Sequence, residues 1–519
     1  MKPIHENTVI AVLLIVALLP AMALRDFTPD NELRYLSIAD EALRDGHLFA
    51  FYNQGAPYAD KPPLYLWIVM LGKWMLGRHA MLFLSLFSVI PALVIMRVMD
   101  TWTAAYVRLS ATTRLTGQLM LMTTGLFLGM ALTIRMDMLM CMFIVLSLHT
   151  FYRLYSGQGR RGDRLLFPLY IFLGIFTKGP VAFLVPLVSI PVFLLVERKG
   201  RTLGRYWGWR TWGVLLLLCA AWFGGVYLEG GQSYLDNLLF NQTVHRAVDS
   251  FHHKAPFYYY AGTFWYSVAP WCLLIVYALL ARRQRGGGSE ALERFYIVVA
   301  LTTFVLLSVV SSKIAVYLLP AFPFFVYIAV IDLEKRGATP LAKAAVALPA
   351  AIFVAALPAV VYMALSHLFP APWLGIVAAA VLTLCGGATL YTLYVRHDLR
   401  RAIRTMAVGL LLTVFVGGGA LPTLNDRIGF EKVCREAQTM AATHHTRGYV
   451  TYGIRRPESM DVFLHVDVQS VEADALKEGR CKGALLMAKK RRLERDDELC
   501  RLLAGHPQKE LGDYLIVAL

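Results

Sequence analysis

Charge is the scarcest resource in this chain of 519 residues: Asp, Glu, Lys and Arg make up 17% of it. Soluble domains carry about 25%, so a soluble globular fold is excluded at once. Cysteine is also scarce, with seven in all. Cys141, Cys219, Cys272 and Cys385 lie in apolar stretches and read as small apolar fillers. Cys434, Cys481 and Cys500 lie near the C-terminus, and no CxxC or Cys/His spacing marks a metal site. No HExxH motif and no glycine-rich phosphate loop is present. Internal repeats are missing, low-complexity sequence is limited to Gly286-Gly287-Gly288, and the alternation of barrel strands is absent.

What is abundant is apolar sequence. Hydrophobic residues reach 57%, with a mean hydropathy of +0.53. Stretches long enough to cross a bilayer recur from Val9 to Leu421. The fold class that follows is an all-α polytopic membrane protein, because helices satisfy their own backbones in lipid. The hydropathy pattern predicts about thirteen spans of bilayer length, at 8–24, 79–97, 115–132, 137–152, 165–177, 180–197, 211–228, 257–281, 295–311, 314–331, 344–366, 373–395 and 405–421. The fifth is short enough to be tilted or partly re-entrant. Lys2, an apolar run and Ala21-Met22-Ala23 also resemble a cleavable signal peptide. The reading retains this segment as a first helix.

The net charge of +16 is explained by topology rather than nucleic acid. Basic residues gather at Arg153–Arg164, Arg198–Arg210, Arg282–Arg294, Lys335–Lys343 and Arg396–Arg404. With the N-terminus inside, all five loops fall inside, as the positive-inside rule requires. An odd number of spans then leaves the C-terminus outside. Residues 1–421 form the membrane domain, with an outer loop at 25–77, and residues 422–519 a small extracytoplasmic α/β domain. In that domain the pattern predicts helices over 430–442 and 494–503, and strands over 448–452, 462–466, 484–487 and 513–517. Leu64–Leu76, flanked by Lys61, Lys73 and Trp74, suits an amphipathic helix lying on the membrane.

Six polar motifs then fall on the outer side. They are Asp30 to Tyr35, Asp60-Lys61-Pro62-Pro63, Arg135-Met136-Asp137, Thr177-Lys178-Gly179-Pro180, His245 to Pro256, and Ser312-Lys313 through Tyr317. Each has a plain alternative: Asp30 as a helix cap, the lysines as snorkelling anchors, the His pair as polar loop. Two prolines fix the chain after Asp60-Lys61, and a lysine there is a point charge for phosphate. Charges at such positions are costly and functional by default. Together they suggest an enzyme acting on a lipid-anchored anionic substrate.

Taken in order, these motifs resemble the aminoarabinose lipid A transferase family and its protein O-mannosyltransferase relatives, membrane glycosyltransferases of the C type. The resemblance covers roughly residues 8–330. It implies catalytic acids in the first loop and after the third span, and a pocket for a polyprenyl-phosphate sugar donor. By motif, Asp137 matches the second acid. Lys61, Arg246 and Tyr317 match groups that hold the donor phosphate, and Lys178 and Lys313 are further cations for it. Asp60 and His253 match positions that can hold a divalent metal ion, where the family usually has Glu rather than Asp. The family usually reads Asp-Glu-x-Arg-Tyr at the first acid; an ungapped match puts Asn31 there. Either Asp30 takes the role through a one-residue shift or Glu32 does, and the reading favours Asp30. The implied activity is sugar transfer to lipid A, another glycan or a protein at the periplasmic face of a bacterial inner membrane, with membrane lipids as surroundings and no nucleic acid. A lipid-linked sugar transporter is the alternative of another class, although charges at one face rather than mid-membrane favour the enzyme.

Overall fold

The computed structural model describes residues 3–239, 254–282, 290–366 and 372–519. It divides into two compact units: residues 1–20, 59–65 and 83–417, and residues 21–58, 66–82 and 418–519.

Helix α1 (Pro3–Ala23) leads into a connection holding α2 (Arg34–Asp45), the short strands β1 (Tyr52–Asn53) and β2 (Ala56–Pro57), and α3 (Pro63–Leu76). Then come α4 (Met81–Tyr106), α5 (Ala111–Met122), α6 (Gly125–Leu132), α7 (Met136–Tyr155), α8 (Asp163–Lys178), α9 (Val181–Val196) and α10 (Trp209–Asp236). They are followed by α11 (Tyr259–Ser267), α12 (Cys272–Arg282), α13 (Ala291–Val309), α14 (Phe322–Arg336), α15 (Pro340–Val354), α16 (Ala356–Leu365), α17 (Trp373–Tyr394) and α18 (Leu399–Gly418). Among the described residues seven helices are individually long and apolar enough to cross a bilayer, and two bent pairs raise this to nine. The apolar helices α1, α8, α9 and α18 fall at the remaining expected positions. Leu228, Leu384 and Val309 are exposed on these rods, a pattern that water would penalise and lipid does not. The chain is a multi-pass membrane protein.

Two expected spans are not single rods. The stretch 115–132 breaks between α5 and α6 with a bend of 66°, and 257–281 breaks between α11 and α12 with a bend of 117°. The first break is built by Thr123 and Thr124, whose hydroxyls donate back to Leu119 O (2.6 Å) and Met120 O (2.9 Å). Such back-bonding bends helices. The fifth span is an ordinary helix, α8.

The first unit packs around aromatic rings. Trp102 of α4 lies 5.1–5.9 Å from Tyr152, Phe295 and Tyr296. Beyond this cluster, one end of the bundle is laced by ion pairs: Asp100 with Arg114 (2.6 Å), Glu197 with Arg294 (2.5 Å), Glu293 with Lys335 (2.8 Å) and Asp332 with Arg336 (2.6 Å). Arg400 of α18 joins this end, with Leu333 O at 3.2 Å and Glu334 at 3.5 Å.

In the second unit, α2 buries Tyr35, Leu36, Ile38, Ala39 and Ala42 and stops at Gly46. Its Glu41 accepts from the backbone N–H groups of Gln54 (2.7 Å) and Gly55 (2.8 Å), bracing the tight turn between β1 and β2. The C-terminal part adds α19 (Asn425–Ile428), α20 (Glu431–His444), β3 (Tyr449–Tyr452), α21 (Asp461–Leu464), β4 (Gln469–Ser470), α22 (Ala473–Lys477), β5 (Leu485–Lys489), α23 (Lys490–Leu493), α24 (Asp497–Leu503), β6 (Gln508–Leu511) and β7 (Tyr514–Ala518). The sheet order is β4-β3-β5-β7-β6, parallel through β4, β3 and β5 and antiparallel through β7 and β6. Central β5 is buried on both faces from Leu485 to Ala488, as expected for a strand covered on each side. The strand expected over 462–466 is instead helix α21, closed by His465 in a left-handed conformation (φ 57°); β4 and β6 were not foreseen. The Asp26 carboxylate takes the backbone N–H groups of Phe27 (2.6 Å) and Glu431 (2.9 Å) at the start of α20. Burial pushes its pKa up to about 6 against the pull of those donors.

Candidate functional site

The first unit gathers buried charge at the starts of α3 and α7, the end of α8 and the turn before α14. Asp137 lies in the first turn of α7 and is 1% exposed. Its Oδ2 accepts from Arg135 Nε at 3.1 Å, and its Oδ1 pairs with Lys178 Nζ. Lys178 is the last residue of α8. Gly179 follows at φ 116°, a conformation that only glycine adopts readily, and turns the chain directly into α9. The Lys178 ammonium also sits 4.8 Å from the centre of the Tyr317 ring, a cation–π contact. Tyr317 belongs to a 3₁₀ segment, Ala315–Ala321. Cys141 Sγ, one turn beyond Asp137, meets Leu319 O of that segment at 3.8 Å. Three sequence-distant motifs are thereby held in register.

Lys61 pairs with Asp60 at 2.8 Å, both largely buried, where the chain enters α3. Its charge is near enough to that of Lys178 to repel it. Lys313 is 5% exposed and donates to Ala255 O at 2.9 Å. The backbones of Lys254 and Ser312 pair alongside. Apart from exposed Lys254, the charged side chains named here are four cations, Lys61, Arg135, Lys178 and Lys313, and two carboxylates, Asp60 and Asp137. A buried excess of cations is expensive unless an anion completes it. Arg246 and His253 lie outside the described residues.

The acids of the first loop belong to the second unit. Glu32 is 1% exposed and fully engaged: Arg25 grips it with two N–H donors at 2.5 and 2.6 Å, and Thr28 donates its backbone N–H at 2.8 Å and its hydroxyl at 3.0 Å. Asp30 is half exposed, facing Arg455 at 3.3 Å. Asn31 Oδ1 accepts a long bond from Arg34 (3.4 Å). A helix-cap role for Asp30 is not seen; the carboxylate that meets Thr28 at the helix start belongs to Glu32. Nearby, Asp40 is clamped by Lys73 and by His79 (2.7 Å). Burial alone would raise its pKa, but the contacts from His79 and Lys73 hold it below the usual carboxylate range.

Two groups escaped sequence reasoning. Arg135 stood in a quoted motif without a role, although its position two residues before a buried acid was a usable signal. Arg25, seven residues before Glu32, carried none. Among the described residues no group of three or more His, Cys, Asp or Glu side chains could hold a metal ion. Asp60, one of the two expected metal positions, is engaged by Lys61.

The helical bundle with its buried polar cluster and small α/β sheet defines a polytopic membrane protein with a known architecture. The crystal structure of ArnT from Cupriavidus metallidurans bound to undecaprenyl phosphate matches with a TM-score of 0.76 at 18% identity, covering 100% of this chain and 98% of that one. Its apo state matches at 0.73 and 19% identity, covering 98% and 96%. Residues 9–228 match the family model of the dolichyl-phosphate-mannose-protein mannosyltransferases. The undecaprenyl phosphate-alpha-4-amino-4-deoxy-L-arabinose arabinosyl transferase of Edwardsiella ictaluri is 24% identical over 326 residues, 62% of this chain and 58% of that protein. Its counterpart in Pectobacterium atrosepticum is 27% identical over 330 residues, 61% and 57%. The chain thus spans under three fifths of the length of these curated relatives. It resembles these arabinosyl transferases in sequence over that region and the ArnT structures in fold over its whole length.

Proposed function

We propose that the protein is a glycosyltransferase that takes a sugar from a polyprenyl-phosphate donor and delivers it to lipid A or another acceptor at the periplasmic face of a bacterial inner membrane. The observation that carries this reading is the buried cluster around Asp137, whose cations outnumber its carboxylates among the described residues. Such a cluster suits a phosphate. The names of the relatives supply the donor class.

In this reaction an acceptor oxygen attacks the anomeric carbon. The bond from that carbon to the phosphate oxygen breaks, and its electron pair leaves with polyprenyl phosphate. The leaving group is already a stable anion, so cationic stabilisation matters more than a strong acid. Lys61, Lys178 and Arg246 are the proposed phosphate cations, with Tyr317 and Lys313 at the same turn. Asp137, held between Arg135 and Lys178, acts as the group that positions both. Asp30 is the proposed acceptor acid because its carboxylate is accessible; where the acceptor is a hydroxyl, its proton passes there. Glu32, locked by Arg25, organises the loop. Residues 422–519 are proposed as an accessory extracytoplasmic domain.

The mannosyltransferase family model over 9–228 favours a second reading with a protein hydroxyl as acceptor. Mass spectrometry of lipid A and glycoproteins from cells with and without the gene separates the two. A sugar lost from lipid A supports the first reading and one lost from glycoproteins the second; no change in either pool would reject both lipid A and protein as acceptors. Reporter fusions after Arg160, Arg283 and Pro422 should read inside, inside and outside.

A further inference from the structure

We propose that a groove between α17 and α18 is a binding site for an anionic glycerophospholipid of the surrounding membrane, separate from the donor site. The two helices meet closely at Cys385 and Gly409. A Cβ on Gly409 would fall 1.9 Å from Cys385 Sγ, so glycine is what permits the approach. Cys385 Sγ lies 3.3 Å from Thr405 O. Cys385 and Gly409 also line a cavity of about 790 Å³ along the two helices. Leu384, Val408 and Leu412 form its walls and are exposed, so it opens toward the hydrocarbon.

One end of the groove is charged. Arg401 and Arg404 line it, with Asp398. Asp398 Oδ1 is engaged by the backbone N–H of Arg401 at 2.9 Å. The Arg404 Nε makes a long contact of 3.4 Å to Arg400 O. Among the neighbouring cations at this end of the bundle, Arg114, Arg294, Lys335, Arg336 and Arg400 each have a carboxylate partner. No carboxylate side chain is paired with Arg401 or Arg404 among the described residues. Two guanidinium groups one helical turn apart, at the mouth of an apolar groove, complement one phosphate and one acyl chain. Basic pockets between membrane helices bind anionic headgroups by this logic.

Selectivity should come from the headgroup. An acyl chain leaves hydrocarbon to enter the groove and gains little from burial, whereas the phosphate exchanges water for paired cations. The site lies at the Arg400 end of α14, while Tyr317 precedes the opposite end of that helix. Over fifteen helical residues, at about 1.5 Å each, the two are far apart.

Native mass spectrometry of the purified, delipidated full-length protein tests this. The probes are phosphatidylglycerol, phosphatidylcholine with the same acyl chains, undecaprenyl phosphate and inorganic phosphate. Phosphatidylglycerol should bind at least tenfold more tightly than phosphatidylcholine. Arg401→Gln with Arg404→Gln should abolish that preference, and the Lys pair at the same positions should keep it. Leu384→Trp, on the exposed wall, should fill the groove and weaken phosphatidylglycerol binding without touching charge, which covers the case where the double variant misfolds. Unchanged preference in the Gln variant, or unchanged phosphatidylglycerol affinity in the Trp variant, overturns the proposal. So does full competition by inorganic phosphate, or tighter binding of undecaprenyl phosphate at this groove.

Discussion

Asp137→Asn removes the negative charge from a buried site at nearly constant volume. It takes from Lys178, 12% exposed, and from Arg135, 22% exposed, the carboxylate that both contact. Breaking a buried pair in this way typically costs about 3–5 kcal/mol, because the partner stays charged and desolvated. Lys178→Met should cost less, about 1–3 kcal/mol, since Asp137 keeps Arg135. The double variant removes one charge of each sign. It should therefore be less damaged than the two singles together, by roughly 2 kcal/mol within the usual range for residues in contact. Unfolding of the four proteins in mixed micelles of rising denaturing-detergent content gives the free energies. Additivity within about 0.5 kcal/mol would refute the pairing and with it the role of Asp137 as the group that positions the cations. Turnover should stay low in the double variant even where stability returns, because Lys178 is proposed to face the phosphate.

Three further outcomes are expected. Lys61→Ala should weaken donor binding by roughly ten- to a hundredfold, the loss of one charge-assisted contact of about 1.5–3 kcal/mol, read by competition with undecaprenyl phosphate. Asp30→Asn should abolish turnover while leaving stability unchanged, because its carboxylate is half exposed, whereas Glu32→Gln should destabilise the protein by about 3 kcal/mol through the buried Arg25 pair; the reverse pattern would move the acceptor role to Glu32. Asp26 and Asp461 are both held near pKa 6 by burial, so their carboxyl groups favour the folded state when protonated: this contribution is full below about pH 4 and is lost as pH rises through 6, of the order of 2–3 kcal/mol for Asp26. Thermal unfolding of Asp26→Asn with Asp461→Asn should lack that part of the pH dependence, and an unaltered profile would show that burial does not govern these acids.

Hydropathy made the helical rods legible because an apolar run needs no partner to be recognised. The breaks were less so. Pro270 was a usable signal for the bend after α11, although 257–281 reads as one span by hydropathy, while Thr123-Thr124 looks like ordinary helix until the hydroxyls find their carbonyls. Val462-Phe463-Leu464 reads as strand by residue type and folds as α21, where packing outweighs intrinsic preference. The sheet order rests on pairings that local pattern does not encode. At the polar cluster the motifs marked the positions, while the partnership of Asp137 with Lys178, forty-one residues apart, is set by the α7–α8 packing. Arg25 was invisible for the same reason: its carboxylate partner is reached only by a turn of chain through Thr28.

The most direct test of the account supplies the purified full-length protein in a bilayer with a polyprenyl-phosphate sugar and lipid A, and follows the lipid carrier. The account predicts acceptor-dependent release of free polyprenyl phosphate in step with glycosylated acceptor, greatly slowed by Lys61→Ala and by Asp30→Asn. Donor that crosses the bilayer intact, with no polyprenyl phosphate released, would contradict it.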